Sequence, residues 1–202
     1  MKKLEMVFLT LVLGAILPLC GFLAGWWGTF AFFSNAQVFM AAGAGLLAGL
    51  ILDFIFMKRW IAVAWQSNLC IWMAVFLFYS ICTFGFFMGV PIPNLGLAVL
   101  SGIYIGRRLA NTTCREDDQK RLTAETAGFT TLVFFLICAA SAYFALHDPT
   151  TGANLQGMFQ LPFEVTLEMV IALIVVGGAA VLALNWWLTV KTIRITSRLS
   201  HS

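Results

Sequence analysis

The stretch "GVPIPNLGLAVLSGIYIGRR" (residues 89–108) decides the fold, because it is apolar enough to enter a bilayer but short for crossing one. From Pro91 to Arg108 it gives about 27 Å of α-helix at 1.5 Å per residue, against a hydrocarbon core of about 30 Å. Proline is tolerated in the first helical turn, where its missing N–H has no intrahelical partner. The stretch therefore either spans as a short helix or enters and returns on one side.

The composition identifies lipid as the solvent. Of 202 residues, 61% are hydrophobic and only 10% are charged, and the mean hydropathy is +0.92. A soluble domain has about 25% charged residues. The 19 Phe and seven Trp agree, because aromatic side chains fill helical bundles and mark membrane interfaces.

Five other apolar runs have the roughly 20 residues that a spanning helix needs. With the short stretch they predict an all-α polytopic membrane protein, a compact bundle of six transmembrane helices in a single domain over residues 1–202. Residues 107–126 are predicted as a cytoplasmic loop and residues 147–164 as an outer loop. The predicted spans are 6–27, 37–57, 68–88, 91–108, 127–146 and 165–190.

The placement of positive charge favours six crossings over five. The 12 Lys and Arg residues fall into four groups separated by apolar runs. With a cytoplasmic N-terminus and six crossings, all four groups lie on the cytoplasmic side, as the positive-inside rule requires. With a re-entrant fourth segment, the last two groups would be translocated. We therefore expect both termini in the cytoplasm of a bacterial or archaeal cell, whose cytoplasmic membrane holds the chain.

Small residues recur at four-residue spacing in several predicted spans. In lipid, such stripes mark places where helix backbones approach closely. They predict a compact bundle, and a stripe left facing lipid would indicate a membrane protein partner. The stripes comprise Gly21 and Gly25, then Ala41, Gly45 and Gly49, then Gly102 and Gly106, and finally Gly177–Ala180.

Asp53 is the first candidate binding residue, because a carboxylate inside a span is costly and often functional. It follows Gly49 by one helical turn, so it faces protein. An interfacial ion pair with Lys58 or Arg59 is the alternative interpretation. Asn185 lies at a similar predicted depth, and we expect the two side chains to hydrogen-bond across the bundle.

Asn94 and Glu168 are the candidate binding residues at the predicted outer end. Asn94 follows the two prolines, where a recessed helix start would bind an anion or a polar group; a plain tight turn is the alternative. Glu168 lies near the start of the last span, where the helix dipole alone accounts for an acid. A cationic or amine-bearing ligand would suit their convergence with Gln37, His147, Asp148 and Glu164.

Catalytic motifs are absent from the sequence. It contains no H-E-x-x-H, G-x-S-x-G or phosphate loop, and its five Cys lack metal-ligand spacing. We therefore predict no catalytic residue, no metal site, no cofactor and no nucleic-acid partner.

The layout of six spans, about 200 residues, cytoplasmic termini and Gly/Ala-rich helices resembles the S-components of energy-coupling-factor vitamin transporters. The resemblance implies capture of a small molecule from the outer side and docking to a transmembrane coupling subunit with ATPases. S-components tend to dock through an Ala-x-x-x-Ala pair in the first helix, where this chain has Gly21 and Gly25. The stretch 90–108 also looks like segments of uncharacterised bacterial multi-pass membrane proteins.

Three functions therefore stay open. Small-molecule binding or transport is the first, and a noncatalytic membrane subunit or assembly partner is the second. A membrane enzyme is the third. A polar cavity open to the outside would favour the first, a glycine stripe facing lipid the second, and carboxylates clustered around a cavity the third.

Overall fold

The computed structural model describes residues 3–64, 67–87, 89–111, 116–160 and 162–199, and all regular structure in these ranges is helical. A 3₁₀ turn at Ile92–Asn94 precedes α5. The helices are α1 (Lys3–Gly14), α2 (Ile16–Phe30), α3 (Asn35–Val63), α4 (Leu69–Phe86), α5 (Leu95–Ala110), α6 (Glu116–His147), α7 (Thr151–Phe159) and α8 (Leu167–Leu199).

The helices are long and apolar enough for a multi-pass membrane protein. Within the described residues, five segments reach the length and hydropathy of a span: Met6–Phe30, Asn35–Val63, Leu69–Phe86, Glu116–His147 and Leu167–Leu199. α5 has only 16 residues. Large apolar side chains on these helices are exposed, such as Phe54 at 89%. In a bilayer those side chains face lipid, so the all-helical membrane fold predicted from composition is confirmed.

The chain forms two compact units, residues 1–75 and residues 76–202, and α4 passes from the first into the second. The six spans and the single domain predicted over 1–202 stay predictions.

In the first unit, α2 and α3 form an antiparallel hairpin with their backbones in direct contact. A methyl group added to Gly21 would collide with the carbonyl of Gly45, and one added to Gly45 would collide with the carbonyl of Gly21. Gly25 lies in the same way against Ala41, and Gly49 lies against the backbone of Leu17. The predicted small-residue stripes of these two helices are therefore contacts within the chain.

The first helical segment is interrupted between α1 and α2. α1 ends at Gly14 and α2 begins at Ile16. Pro18 explains the break, because it has no N–H to donate to the carbonyl of Gly14 four residues earlier. Gly14 itself packs against α3, where its neighbours are Asp53 and Met57.

In the second unit, α5 runs parallel to α8 and α6 runs antiparallel to it. Gly102 packs on Thr192, and Gly106 packs on Thr196 four residues further along both helices. Thr130 of α6 contacts Thr189, its hydroxyl oxygen 3.2 Å from that of Thr189. Because of these directions, the C-terminal ends of α5 and α8 and the N-terminal end of α6 lie at the same end of the unit.

The turn between α4 and α5 lies at the opposite end of this unit. Gly89 adopts a positive φ of 84°, a conformation that glycine takes without strain. Its N–H donates to the Phe84 carbonyl at 2.9 Å. Its own carbonyl accepts a hydrogen bond from the Ser141 hydroxyl near the end of α6. The turn is therefore tied to the helix beside it.

Both predicted loops contain helix, which corrects the boundaries drawn from hydropathy. Residues 107–126 were predicted as a loop, but α6 begins at Glu116, with three acids in its first turn that favour the positive end of the helix dipole. Lys120 pairs with Glu116 at 3.1 Å. In the predicted outer loop, α7 covers Thr151–Phe159. Apolar periodicity misses such segments because polar, charged and glycine residues interrupt their apolar positions.

Candidate functional site

The four residues predicted from sequence to bind a ligand are divided between the two units. Asp53 belongs to the first unit, whereas Asn94, Glu168 and Asn185 belong to the second. Among the described residues of the second unit, the side chains of Asn94, Glu168 and Asn185 do not hydrogen-bond to one another. The hydrogen bond predicted between Asp53 and Asn185 stays a prediction.

Asn185 belongs to a buried polar seam between α6 and α8. Its side-chain amide donates to the Thr131 hydroxyl at 3.1 Å, and its backbone carbonyl accepts from the Thr189 hydroxyl at 2.9 Å. The Thr189 oxygen lies in turn 3.2 Å from that of Thr130. Such side chains hold helices together in lipid, so Asn185 has a packing role here.

Asn94 is buried where the 3₁₀ turn meets α5. Its side-chain amide points to the Ser80 carbonyl of α4 at 3.5 Å, which makes a long hydrogen bond. Its side-chain oxygen has no partner among the described residues. The amide therefore joins the two helices that flank the turn.

The acidic residues predicted at the outer end are exposed and act locally. Glu168 lies in the first turn of α8. Asp148 accepts hydrogen bonds from the Thr150 hydroxyl at 2.7 Å and the Thr150 backbone N–H at 2.9 Å. These bonds, the hydroxyl first, lower the pKa of Asp148 below its ordinary value. Asp148 thus shapes the turn before α7.

The Asp53 side chain packs against α1 and is only 7% exposed. Its Oδ1 has no hydrogen-bond partner among the described residues. The predicted alternative of an ion pair with Lys58 or Arg59 is not formed in the described structure. Its Oδ2 lies beside Gly14, 2.9 Å from where a β-carbon on that glycine would be.

A groove of about 590 Å³ lies at the end of the second unit where α5 finishes, α6 begins and α8 nears its C-terminus. It combines apolar side chains, polar groups and three cations. Its lining residues are Leu109, Ala110, Glu116, Gln119, Lys120, Thr123, Ala124, Trp186, Val190, Ile193, Arg194, Ser197 and Arg198.

One row of side chains along α8 gives this groove an amphipathic wall. Trp186, Val190, Arg194 and Arg198 recur every four residues and all line the groove. Residues at this spacing lie on one helix face, so the wall changes from apolar to cationic toward the end of α8. Across the groove, Glu116 is paired with Lys120 and partly neutralises it. The net charge of the four ionic groups is +2, from three cations and one anion.

Sequence reasoning missed both the groove and the seam, although each has a pattern. Lys120, Arg194 and Arg198 were used only to predict topology, and Trp186 only as an interfacial residue. In α8 the polar residues Asn185, Thr189, Thr192 and Thr196 follow one helix face at spacings of four, three and four. Such a polar stripe inside an apolar helix predicts a buried helix contact.

Two further observations bear on the alternative functions. Among the described residues, no group of three His, Cys, Asp or Glu side chains could hold a metal ion. Gly21, Gly25, Gly45, Gly49, Gly102 and Gly106 are all covered by helices of this chain. Around Gly178, by contrast, no atom lies within 4 Å of an added methyl group.

Comparison with known proteins gives this chain no relative: no family model matches it, and neither does any curated protein or solved structure. Its function is therefore inferred from its own groove and buried polar residues.

Proposed function

We propose that this multi-pass membrane protein binds a small amphipathic anion in the groove between α5, α6 and α8, as a binding or transport component. The observation that carries the proposal is the α8 row in which Trp186 and Val190 lead to Arg194 and Arg198. An apolar wall ending in two guanidinium groups matches a ligand with an apolar body and an acidic head.

The chemistry of the groove favours a phosphate or carboxylate head. Guanidinium groups bind both in a bidentate way and keep their charge at every physiological pH. Trp186 supplies an apolar surface with a polar edge, as is typical at a membrane interface. Because Lys120 is already engaged by Glu116, Arg194 and Arg198 are the principal anion-binding residues in this proposal.

The proposal includes six crossings with both termini in the cytoplasm of a bacterium or archaeon. The parallel direction of α5 and α8 supports it, because it brings the basic ends of α5, α6 and α8 together. The length of α5 also supports it: 16 helical residues and a three-residue 3₁₀ turn extend about 30 Å, which matches the hydrocarbon core. The groove then faces the cytoplasm.

The topology is tested by a reporter inserted after Arg121 in the full chain. We expect activity of a cytoplasmic reporter such as β-galactosidase and none from alkaline phosphatase, which needs an exported site. An active phosphatase at this position would contradict six crossings.

Binding is tested by native mass spectrometry of the tagged protein purified in mild detergent. We expect a bound anionic molecule that the double variant Arg194→Gln/Arg198→Gln loses, because its head group loses both guanidinium partners. Lys191→Gln is the matched control, since it removes one exposed cation of the same helix outside the groove lining. Equal ligand occupancy in the double variant would contradict the proposal. Comparing the occupancy reached with phosphatidylglycerol and with inorganic phosphate, added separately, shows whether the ligand needs an apolar body.

The same purification distinguishes the alternative, a noncatalytic membrane subunit or assembly partner. The uncovered surface at Gly178 favours that alternative, because small residues facing lipid admit another helix closely. Co-purifying ATPases and a coupling subunit would support a role as a transport component. Co-purification of a membrane complex without ATPases and without a bound anion would favour the subunit role.

A further inference from the structure

We propose that Asp53 is a proton-binding site whose proton bridges to the backbone carbonyl of Gly14. This site lies in the first unit and does not depend on the groove. Two features support it: the Asp53 carboxyl group is buried, and it packs against Gly14, where α1 ends.

The first observation is the lack of compensation for a charge on Asp53. The side chain is 7% exposed, and its Oδ1 has no hydrogen-bond partner in the described residues. Transfer of an ionised carboxylate into a medium of low dielectric constant is very costly unless it is paired. A neutral carboxylic acid avoids this cost and gains one O–H donor.

The second observation is a backbone acceptor without its usual donor. Pro18 has no N–H, so the Gly14 carbonyl cannot accept the hydrogen bond that continues an α-helix. α1 ends at this residue. Glycine permits a close approach here, because a β-carbon at position 14 would lie 2.9 Å from the Asp53 Oδ2 and 2.8 Å from the Met57 Cε, so that both side chains would have to move. Gly14, the residue that carries this acceptor, therefore packs against the Asp53 carboxyl group.

The other charged groups near this contact are few. On α3 the nearest are Lys58 and Arg59, both exposed and one to two turns further along. On α1 and α2, residues 6–30 contain no charged side chain, and Cys20 is their only titratable group; it is exposed. The α4 segment of this unit, Leu69–Val75, adds only Cys70. Among the described side chains of these elements, no cation pairs with Asp53 in place of the proton.

Loss of the proton would place an unpaired carboxylate between α1 and α3. The contact would then have to admit water or separate, because a buried charge is not left uncompensated. Proton binding to Asp53 is therefore coupled to the α1–α3 contact, which forms when the carboxyl group is protonated.

The test is infrared spectroscopy of the full-length protein in lipid at neutral pH. A protonated carboxyl group gives a C=O stretch separate from ionised carboxylates. We expect one such band, which Asp53→Asn removes and the exposed control Asp117→Asn leaves unchanged. Seven of the other eight carboxyl groups belong to exposed residues, and Glu5 is the eighth. Absence of the band, or its persistence in Asp53→Asn, would overturn the proposal.

A second variant tests the Gly14 partner. Pro18→Ala supplies an N–H that can donate to the Gly14 carbonyl, so it competes with the acid. We expect the Asp53 band to move to higher frequency, because a carboxyl group with a weaker hydrogen bond has a stiffer C=O bond. An unshifted band in a variant that retains the wild-type circular dichroism would overturn the bridge. Neither result depends on Arg194 and Arg198, so this proposal and the groove proposal fail separately.

Discussion

The α2–α3 contact and the α5–α8 contact both depend on glycine, but they use it differently. In the first, glycines on both helices face backbone, with Gly21 opposite Gly45. In the second, glycines lie only on α5, and Thr192 and Thr196 of α8 fill the space opposite them. The first contact is therefore backbone against backbone, whereas in the second the glycines meet the threonine side chains as well as backbone atoms of α8.

This difference predicts how each contact responds to added volume. An added β-carbon would meet its nearest atom at a shorter distance in the α2–α3 contact than in the α5–α8 contact, where the shortest distance is 2.7 Å. The α2 and α3 helices would therefore have to separate further than α5 and α8. Because overpacking costs about 1–3 kcal/mol and occasionally more, we expect the upper end for α2–α3 and the lower end for α5–α8.

The largest effect is expected for Gly45→Ala. Its methyl group would lie 2.7 Å from the carbonyl carbon of Gly21 and closer still to the oxygen, so the hairpin must separate. We expect a loss of about 3 kcal/mol or more, measured as a lower melting temperature in detergent. Gly43→Ala is the matched control, because a methyl group there meets nothing within 4 Å; it should be neutral or gain up to about 1 kcal/mol of helix propensity. Equal effects of the two changes would refute the hairpin contact.

A smaller effect is expected for Gly106→Ala in α5. The added methyl group would lie 2.7 Å from the Thr196 Cβ and 2.8 Å from the Ile193 carbonyl oxygen. We expect a loss of about 1–2 kcal/mol in the same thermal measurement. Gly96→Ala, also on α5 and in open surroundings, serves as the control. A larger loss of stability than that of Gly45→Ala would show that the α5–α8 contact tolerates added volume less well than the α2–α3 contact.

The smallest effect is expected in the polar seam of the second unit. A double-mutant cycle with Thr130→Val and Thr189→Val measures the coupling between hydroxyl groups 3.2 Å apart. Such hydrogen bonds between helices in a membrane average about 0.6 kcal/mol. Thr126→Val should not couple to Thr189→Val, because the Thr126 hydroxyl donates only to Leu122 of its own helix. Zero coupling between Thr130 and Thr189 would show that these side chains stabilise the seam by packing and not through a hydrogen bond.

Sequence reasoning succeeded where one short-range pattern determines the structure. Glycine spacing predicted that α2, α3 and α5 make close contacts, although not which helices pair, and hydropathy predicted a helical membrane protein. Sequence reasoning missed α7 and the start of α6, because the polar and charged residues of these segments leave no apolar period. The candidate site was harder still: Asp53 is distinctive in the sequence, but its neighbour Gly14 is 39 positions away, and only the helix packing brings the two together.

The length of α6 and α8 has a mechanical consequence. These helices have 32 and 33 residues, so each is about 50 Å long at 1.5 Å per residue, and an apolar slab of about 30 Å cannot enclose either of them. The helical turns that extend beyond the membrane are continuous with the spanning part of each helix, and the groove lies between them. A partner or a ligand that draws these ends together would therefore tilt both helices. The movement would reach Thr130 and Thr189, where the two helices are in contact.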